Sequence, residues 1–188
     1  MILMDDIIRE GHPTLRKVAK EVELPLSEED KQIALDIMEY VQNSQNEEMI
    51  EKYDLRPGIG LAAPQINVSK RIFALHIEDE DGNVEESMIA INPKIVSHSV
   101  EIDYLETGEG CLSVDRPVEG HVPRYARITI EAYDENGEKF TKRLRGLPAI
   151  AFQHELDHLD GILFFDRIDK NRPFLNMEQL TQPNTLFN

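Results

Sequence analysis

The chain has 188 residues, with 36 acidic side chains against 20 basic ones and a formal net charge of −16. That length fits one domain with enough chain to bury a core, and the charge argues against broad phosphate binding, which relies on basic surfaces. No apolar run approaches a membrane span, and the opening MILMDDIIREGHP carries acids where an export signal would carry positive charge, so no membrane partner is expected and the expected compartment is the cytoplasm.

Near the start, HPTLRKVAKEV reads as a short helix with Pro13 in its first turn. In PLSEEDKQIALDIMEYVQNSQ, Ser27 is a good N-cap with acids behind it. Ile33, Ile37 and Val41 then recur at helical spacing, so a long helix is expected here. NEEMIEKY reads as a second, short helical segment. RPGIGLAAPQ (56–65), with Gly58 and Gly60 astride Ile59 and prolines at both ends, cannot be regular throughout.

The middle of the chain turns to strands. RIFALHI is one, followed by a turn at Asp81-Gly82. SMIAINP is another, expected to end at Asn92-Pro93, and IVSHSVEIDYL alternates in part. ARITIEAYD and KFTKRLRG form a hairpin around Asn136-Gly137. LPAIAFQHELDHLDG reads as a helix, with Pro148 early and Gly161 just past its end; ILFFDRI would return as a strand. Helices and strands are segregated, without a repeating βαβ pattern. The expected class is α+β, with antiparallel-rich sheets packed around the C-terminal helix and helices at the N-terminus.

Chemistry concentrates in QHELDH (153–158). Residues four apart on a helix are separated by about 40° of rotation, so His154 and His158 project from one stripe and can share a tetrahedral ion. Glu155 lies about 100° round from His154, beside such an ion rather than on it. Phe152, Leu156 and Leu159 lie opposite and can anchor the helix. Leu147, Ile150 and Ala151 fall near the histidine stripe, where they can wall an apolar pocket.

Two imidazoles leave such an ion under-coordinated, since a catalytic site of this type wants three protein ligands and a water. Asp160 points away from the stripe; Asp166 and Asp169 are weak alternatives. The other candidate is Cys111, the one cysteine of the chain, in ETGEGCLSV. Gly108 and Gly110 free the backbone around it. Iron(II), zinc, nickel and cobalt all suit a Cys-His-His set. His12, His76, His98 and His121 stand in no ligand spacing and read as structural or exposed.

GIGLAAPQ (58–65), EGCLS (109–113) and QHELDH occur in that order. On these three motifs the chain resembles the peptide deformylases, metal hydrolases that remove the formyl group from the N-terminal formylmethionine of new bacterial proteins. The resemblance runs over nearly the whole chain and implies a single catalytic domain over 1–188. NSQNEEMIEKYDLRP and the APQ ending resemble the longer variety of the family, common in Gram-positive bacteria.

The resemblance implies that Cys111, His154 and His158 hold one divalent metal ion, natively Fe2+, with Zn2+, Ni2+ or Co2+ in a purified sample. It implies that Glu155 is general base and then acid for a water attacking the formyl carbon, and that Gln65 and the backbone N–H of Leu112 stabilise the oxyanion. Ile59, Gly60 and Gly110 would supply main-chain bonds to an extended formylmethionyl peptide. Leu147, Ile150 and Ala151 would receive the methionine side chain. Asp157 takes no part in this scheme and is expected to pair with a basic residue such as Arg124. The tail NRPFLNMEQLTQPNTLFN lacks the basic helix that some shorter relatives carry, so ribosome contact would be transient at most, and no direct nucleic-acid binding is expected. The alternatives are an H-E-x-x-H endopeptidase with another third ligand, and a non-catalytic module that binds formyl peptides or metal.

Overall fold

The strand β2 (Ile72–Glu78) explains the architecture. Six of its seven residues are buried, because the sheet is covered on both faces. Ile72 and Ala74 enter one apolar cluster with Ala34, Ile37 and Val41 of α1 (Glu28–Asn43). Phe73, Leu75 and Ile77 enter another with Ala149, Phe152 and Leu159 of α3 (Leu147–Leu159). Alternate residues of a strand face opposite ways, so one uninterrupted apolar run serves two cores. Phe73 and Phe152 meet edge to face, their ring centroids 5.0 Å apart.

This computed structural model describes residues 1–176. Its main sheet is antiparallel, in the order β1-β2-β3-β6-β7. The other strands of that sheet are β1 (Gly60–Ala62), β3 (Val84–His98), β6 (Arg127–Tyr133) and β7 (Lys139–Arg145). A second sheet pairs β4 (Ile102–Asp103) with β5 (Arg124–Tyr125). The short α2 (Glu47–Tyr53) follows α1. The α+β class, the antiparallel sheet and the C-terminal helix are as the sequence implies.

The expected caps form. Ser27 Oγ accepts from the Asp30 N–H, and Glu28, Glu29 and Asp30 complement the N-terminal end of α1. α3 has Pro148 in its first turn and Gly161 just beyond its end at φ 74°. A Cβ on Gly161 would stand 2.6 Å from the Arg16 carbonyl oxygen, so the chain can turn there only on glycine.

Three local expectations are corrected. HPTLRKVAKEV makes only a 3-10 turn over Pro13–Arg16. Beyond it Lys20 is held extended, donating to Ser69 O and accepting from Arg71 N, so that strand-like pairing replaces the helix. β3 does not end at Asn92-Pro93 but continues into IVSH. Its register against β6 shifts between Ile91 and Lys94, an irregularity that accommodates the missing proline N–H. Asn92, at φ 49°, clamps the Val22 backbone through both amide atoms. ILFFDRI forms a 3-10 helix, Phe164–Arg167, instead of a strand. Asp166 caps its start by accepting from the Leu163 N–H, and pairs with Arg16. The reading of the tail from 177 onward lies outside the described residues.

Candidate metal centre and active-site cavity

Three elements converge on one cavity. The first is the segment from Arg56 through β1 to the 3-10 turn Ala63–Ile66; the second is the loop carrying Glu109 to Ser113; the third is α3 itself. They enclose a cavity of about 400 Å3. Gln65, Cys111, Leu112, His154 and Glu155 all line it, as do Ile59, Gly60, Gly110, Leu147, Ile150 and Ala151. Every residue singled out from the sequence for the site is therefore at this cavity, except His158, which lies beneath it at 1% exposure.

A ligand atom of Cys111, one of His154 and one of His158 lie within 4.8 Å of one another. Cys111 Sγ is 3.3 Å from His158 Nε2. Metal–sulfur and metal–nitrogen bonds at a tetrahedral ion would separate such atoms by about 3.6 Å. The donor set thus fits a divalent cation of borderline softness in both chemistry and spacing. The acids considered as third ligands are engaged elsewhere. Asp160 pairs with Arg71, Asp166 with Arg16, and Asp169 accepts the backbone N–H groups of Asn171 and Arg172.

Electrostatics prepare the trio. Burial opposes ionisation of Cys111, but the charge of His158 and hydrogen bonds with both histidines outweigh it and hold the thiol well below its ordinary range. A thiolate is the form a metal needs. Burial likewise opposes charge on His154, and its hydrogen bonds to Cys111 and Glu109 overcome this and raise it.

Glu109 opens the motif EGCLS, but the sequence assigns it no role. Its Oε1 lies 2.8 Å from His154 Nδ1, which leaves Nε2 as the free ring nitrogen for a metal. Arg124 grips the same carboxylate through Nε and Nη2 at 2.9 and 2.8 Å. The side chains of Arg124 and Glu109 are only 2% and 3% exposed. Burial opposes charge on Glu109, but the bonds from His154 and Arg124 prevail and bring its carboxyl down to about 2. The expected Asp157–Arg124 pair forms at 2.6 Å, and Arg167 closes on Asp157 from the other side. A chain of alternating charges, buried at Glu109, Arg124 and Asp157, therefore fixes one imidazole. Glu109→Gln is expected to weaken zinc binding about 10- to 100-fold, the usual cost of losing a carboxylate behind a ligating histidine. Titration against a competing chelator measures it.

Glu155 is buried against the cavity, and its Oε2 has no hydrogen-bond partner among the described residues. Burial raises its pKa, against the opposing charges of His154 and His158. Space around it is tight. A Cβ on Gly60 would fall 2.6 Å from Glu155 Oε1 and 2.8 Å from Leu75 Cδ2. Gly60→Ala is therefore expected to displace the carboxylate while leaving the metal bound. A misplacement of about 1 Å costs on the order of 100-fold in rate, which steady-state kinetics with parallel metal analysis would detect.

Gln65 is held from both ends. Its Oε1 accepts from the Ala62 N–H at 3.0 Å, and its Nε2 donates to Ser113 Oγ at 3.1 Å and approaches Cys111 Sγ at 3.5 Å. A Cβ on Gly110 would meet nothing within 4 Å, so the cavity is open there. Outside the site, His12 accepts from Thr14 N, His76 bonds to Ser87 and Glu78, and His98 stacks on Tyr125. His121 bridges Glu106 O and Leu175 N. None of the four joins the metal-ligand group among the described residues, and His98 is exposed, in keeping with a structural or exposed reading.

A family model described as polypeptide deformylase matches residues 4–174. The chain belongs to that family. Among relatives, a peptide deformylase of Oceanobacillus iheyensis is 58% identical over 97% of this chain and 99% of its own length. Peptide deformylase 2 of Geobacillus stearothermophilus is 63% identical over 93% of this chain and 94% of its own. Among solved structures, peptide deformylase from Thermus thermophilus superposes with a TM-score of 0.69 at 35% identity, covering 88% of this chain and 86% of that one. The Plasmodium falciparum deformylase gives 0.69 at 34%, covering 88% and 87%. Membership accounts for the three motifs found in the sequence, and the cavity is where all three meet. Among the described residues, no helix is long and apolar enough to cross a membrane.

Proposed function

We propose that this chain, as one catalytic unit, hydrolyses the formyl group from N-terminal formylmethionine of nascent peptides. The observation that carries the reading is the convergence of Cys111, His154 and His158 beside a cavity lined by Cys111, His154, Glu155 and Gln65. Cys111 Sγ and one ring nitrogen from each histidine would hold the ion, natively Fe2+, with Zn2+, Ni2+ or Co2+ able to replace it. When bound, such a cation supplies Lewis acidity, which eases deprotonation of water near neutral pH and polarises a carbonyl.

The protein's own groups do the rest. Glu155 accepts a proton from the attacking water at its unpartnered Oε2 and delivers it to the leaving amine. Gln65 Nε2 and the Leu112 N–H donate to the formyl oxygen as it gains charge; losing one such donor typically costs about 2.7–4 kcal/mol. β1 is a terminal strand of the main sheet and lines the cavity. An extended peptide can add to its free edge through the main chain of Ile59 and Gly60, with Gly110 leaving room opposite. Leu147, Ile150 and Ala151 provide the apolar wall for methionine. Acyl groups larger than formyl would collide with the site. Cytoplasmic location and a transient meeting with the ribosome belong to the same reading.

The test is formate release from formyl-Met-Ala by anaerobically prepared protein. Release of formate with the Met-Ala bond intact is expected. Cleavage of internal peptide bonds without formate would favour the metallopeptidase alternative instead.

A further inference from the structure

Arg56 lies outside the H-E-x-x-H helix and the cysteine loop, yet it lines the cavity. Its Nη2 donates to the carbonyl oxygens of Cys111 at 2.8 Å and Val114 at 3.2 Å. Its Nη1 reaches Asp115 Oδ1 at 3.2 Å, and Arg9 holds the same carboxylate at 3.1 Å. The backbone of Arg56 is fixed as well. The Tyr40 hydroxyl, on a fully buried ring, donates to Arg56 O at 2.9 Å. The guanidinium is thus held from its root to its tip.

The Cys111 carbonyl and the Leu112 N–H are two ends of one planar peptide group. Turning that plane moves both, so a bond that pins the oxygen also aims the N–H. The pin is charge-assisted, and polarising the carbonyl strengthens the N–H as a donor across the conjugated amide. The Val114 N–H reaches the same oxygen at 3.1 Å, closing a turn that adds a second anchor. The Leu112 N–H itself makes no backbone hydrogen bond among the described residues.

We propose that Arg56 is a positioning residue for charge stabilisation: through the Cys111 carbonyl it orients and polarises the peptide whose N–H meets the formyl oxygen. This rests on the role proposed above for Leu112. Arg56 bonds the backbone of the metal ligand Cys111 and not its side chain. Its effect should appear in the chemical step and not in binding.

The test compares Arg56→Ala and Arg56→Lys with the parent, all loaded with zinc, on formyl-Met-Ala. Metal content and thermal unfolding are measured on the same samples. Removing a donor outright costs about 100- to 1000-fold, so weakening one should lower kcat of Arg56→Ala by about 10- to 100-fold. KM and metal content should stay near the parent values. Arg56→Lys, which keeps the charge but not the fork, should fall between. The side chain is 40% exposed, so the space it leaves is open to a small cation. Millimolar guanidinium should therefore restore part of kcat to Arg56→Ala and none to Gln65→Ala. Unchanged kcat in a folded, metal-loaded Arg56→Ala would overturn the proposal. So would a loss seen only in KM or in metal content, or a kcat loss that guanidinium cannot repair. Glu155→Ala run alongside separates the two levels. If it stays active, the mechanistic reading itself fails; if it is inactive while Arg56→Ala is fully active, only the role of Arg56 falls.

Discussion

Cys111→Ala is expected to lose both the metal and formate release. The trio of donors lies within 4.8 Å, and removing the sulfur leaves two imidazoles and no anionic ligand to offset a divalent charge. A Lewis acid contributes several kcal/mol to a hydrolytic transition state, and each 1.36 kcal/mol is tenfold in rate. The loss should therefore reach about three orders of magnitude. Cys111→Ser should keep a weaker, harder site with partial occupancy. Metal analysis after gel filtration, paired with the formate assay, reads both quantities. The metallopeptidase reading predicts the opposite, namely an unchanged metal content.

Glu155→Gln should separate metal from chemistry. The substitution keeps the side-chain shape beside Gly60 but removes the proton acceptor that the proposed reaction requires. Loss of a positioned general base typically costs about 100- to 10,000-fold, so kcat should drop by that much at full metal occupancy. Stability should move the other way, with a definite pH dependence in the metal-free protein. Burial raises the Glu155 pKa above its unfolded value. The folded state then holds a proton that the unfolded state has already released. Any stability from the protonated acid is complete below the ordinary carboxylate range and is lost as pH rises through the raised pKa. Relative to the parent, Glu155→Gln should gain thermal stability at neutral and higher pH, and that advantage should shrink in acid. Parallel melting curves across pH would show it. An unchanged kcat would remove Glu155 from the mechanism.

What the sequence disclosed follows from how local each signal is. The histidine pair was legible because helical spacing alone puts residues 154 and 158 on one stripe, and the helix around them carries its own start and stop in Pro148 and Gly161. Cys111 needed more, since nothing local brings a loop sulfur to that stripe; its glycine neighbours and the order of the three motifs supplied the link. Asp157 was legible as a partner for Arg124. Glu109 stands in the motif EGCLS, but its role has no sign until Arg124 and His154 are folded against it. Arg56 was missed for the same reason, its partners being backbone carbonyls of a distant loop. The misread segments are those where a tertiary contact overrides local preference. Asn92 bonds the Val22 backbone and lets β3 pass a proline, and Asp166 caps a turn in ILFFDRI that looked like a strand.

The central claim is that a loop thiolate and two histidines of α3 share one ion. Cobalt(II) substituted into the metal-free protein tests it most directly. Coordination by Cys111 should give an intense sulfur-to-cobalt charge-transfer band in the near ultraviolet, rising to one equivalent of cobalt and absent in Cys111→Ser. Stoichiometric cobalt binding with no such band, or the same spectrum in Cys111→Ser, would contradict the account.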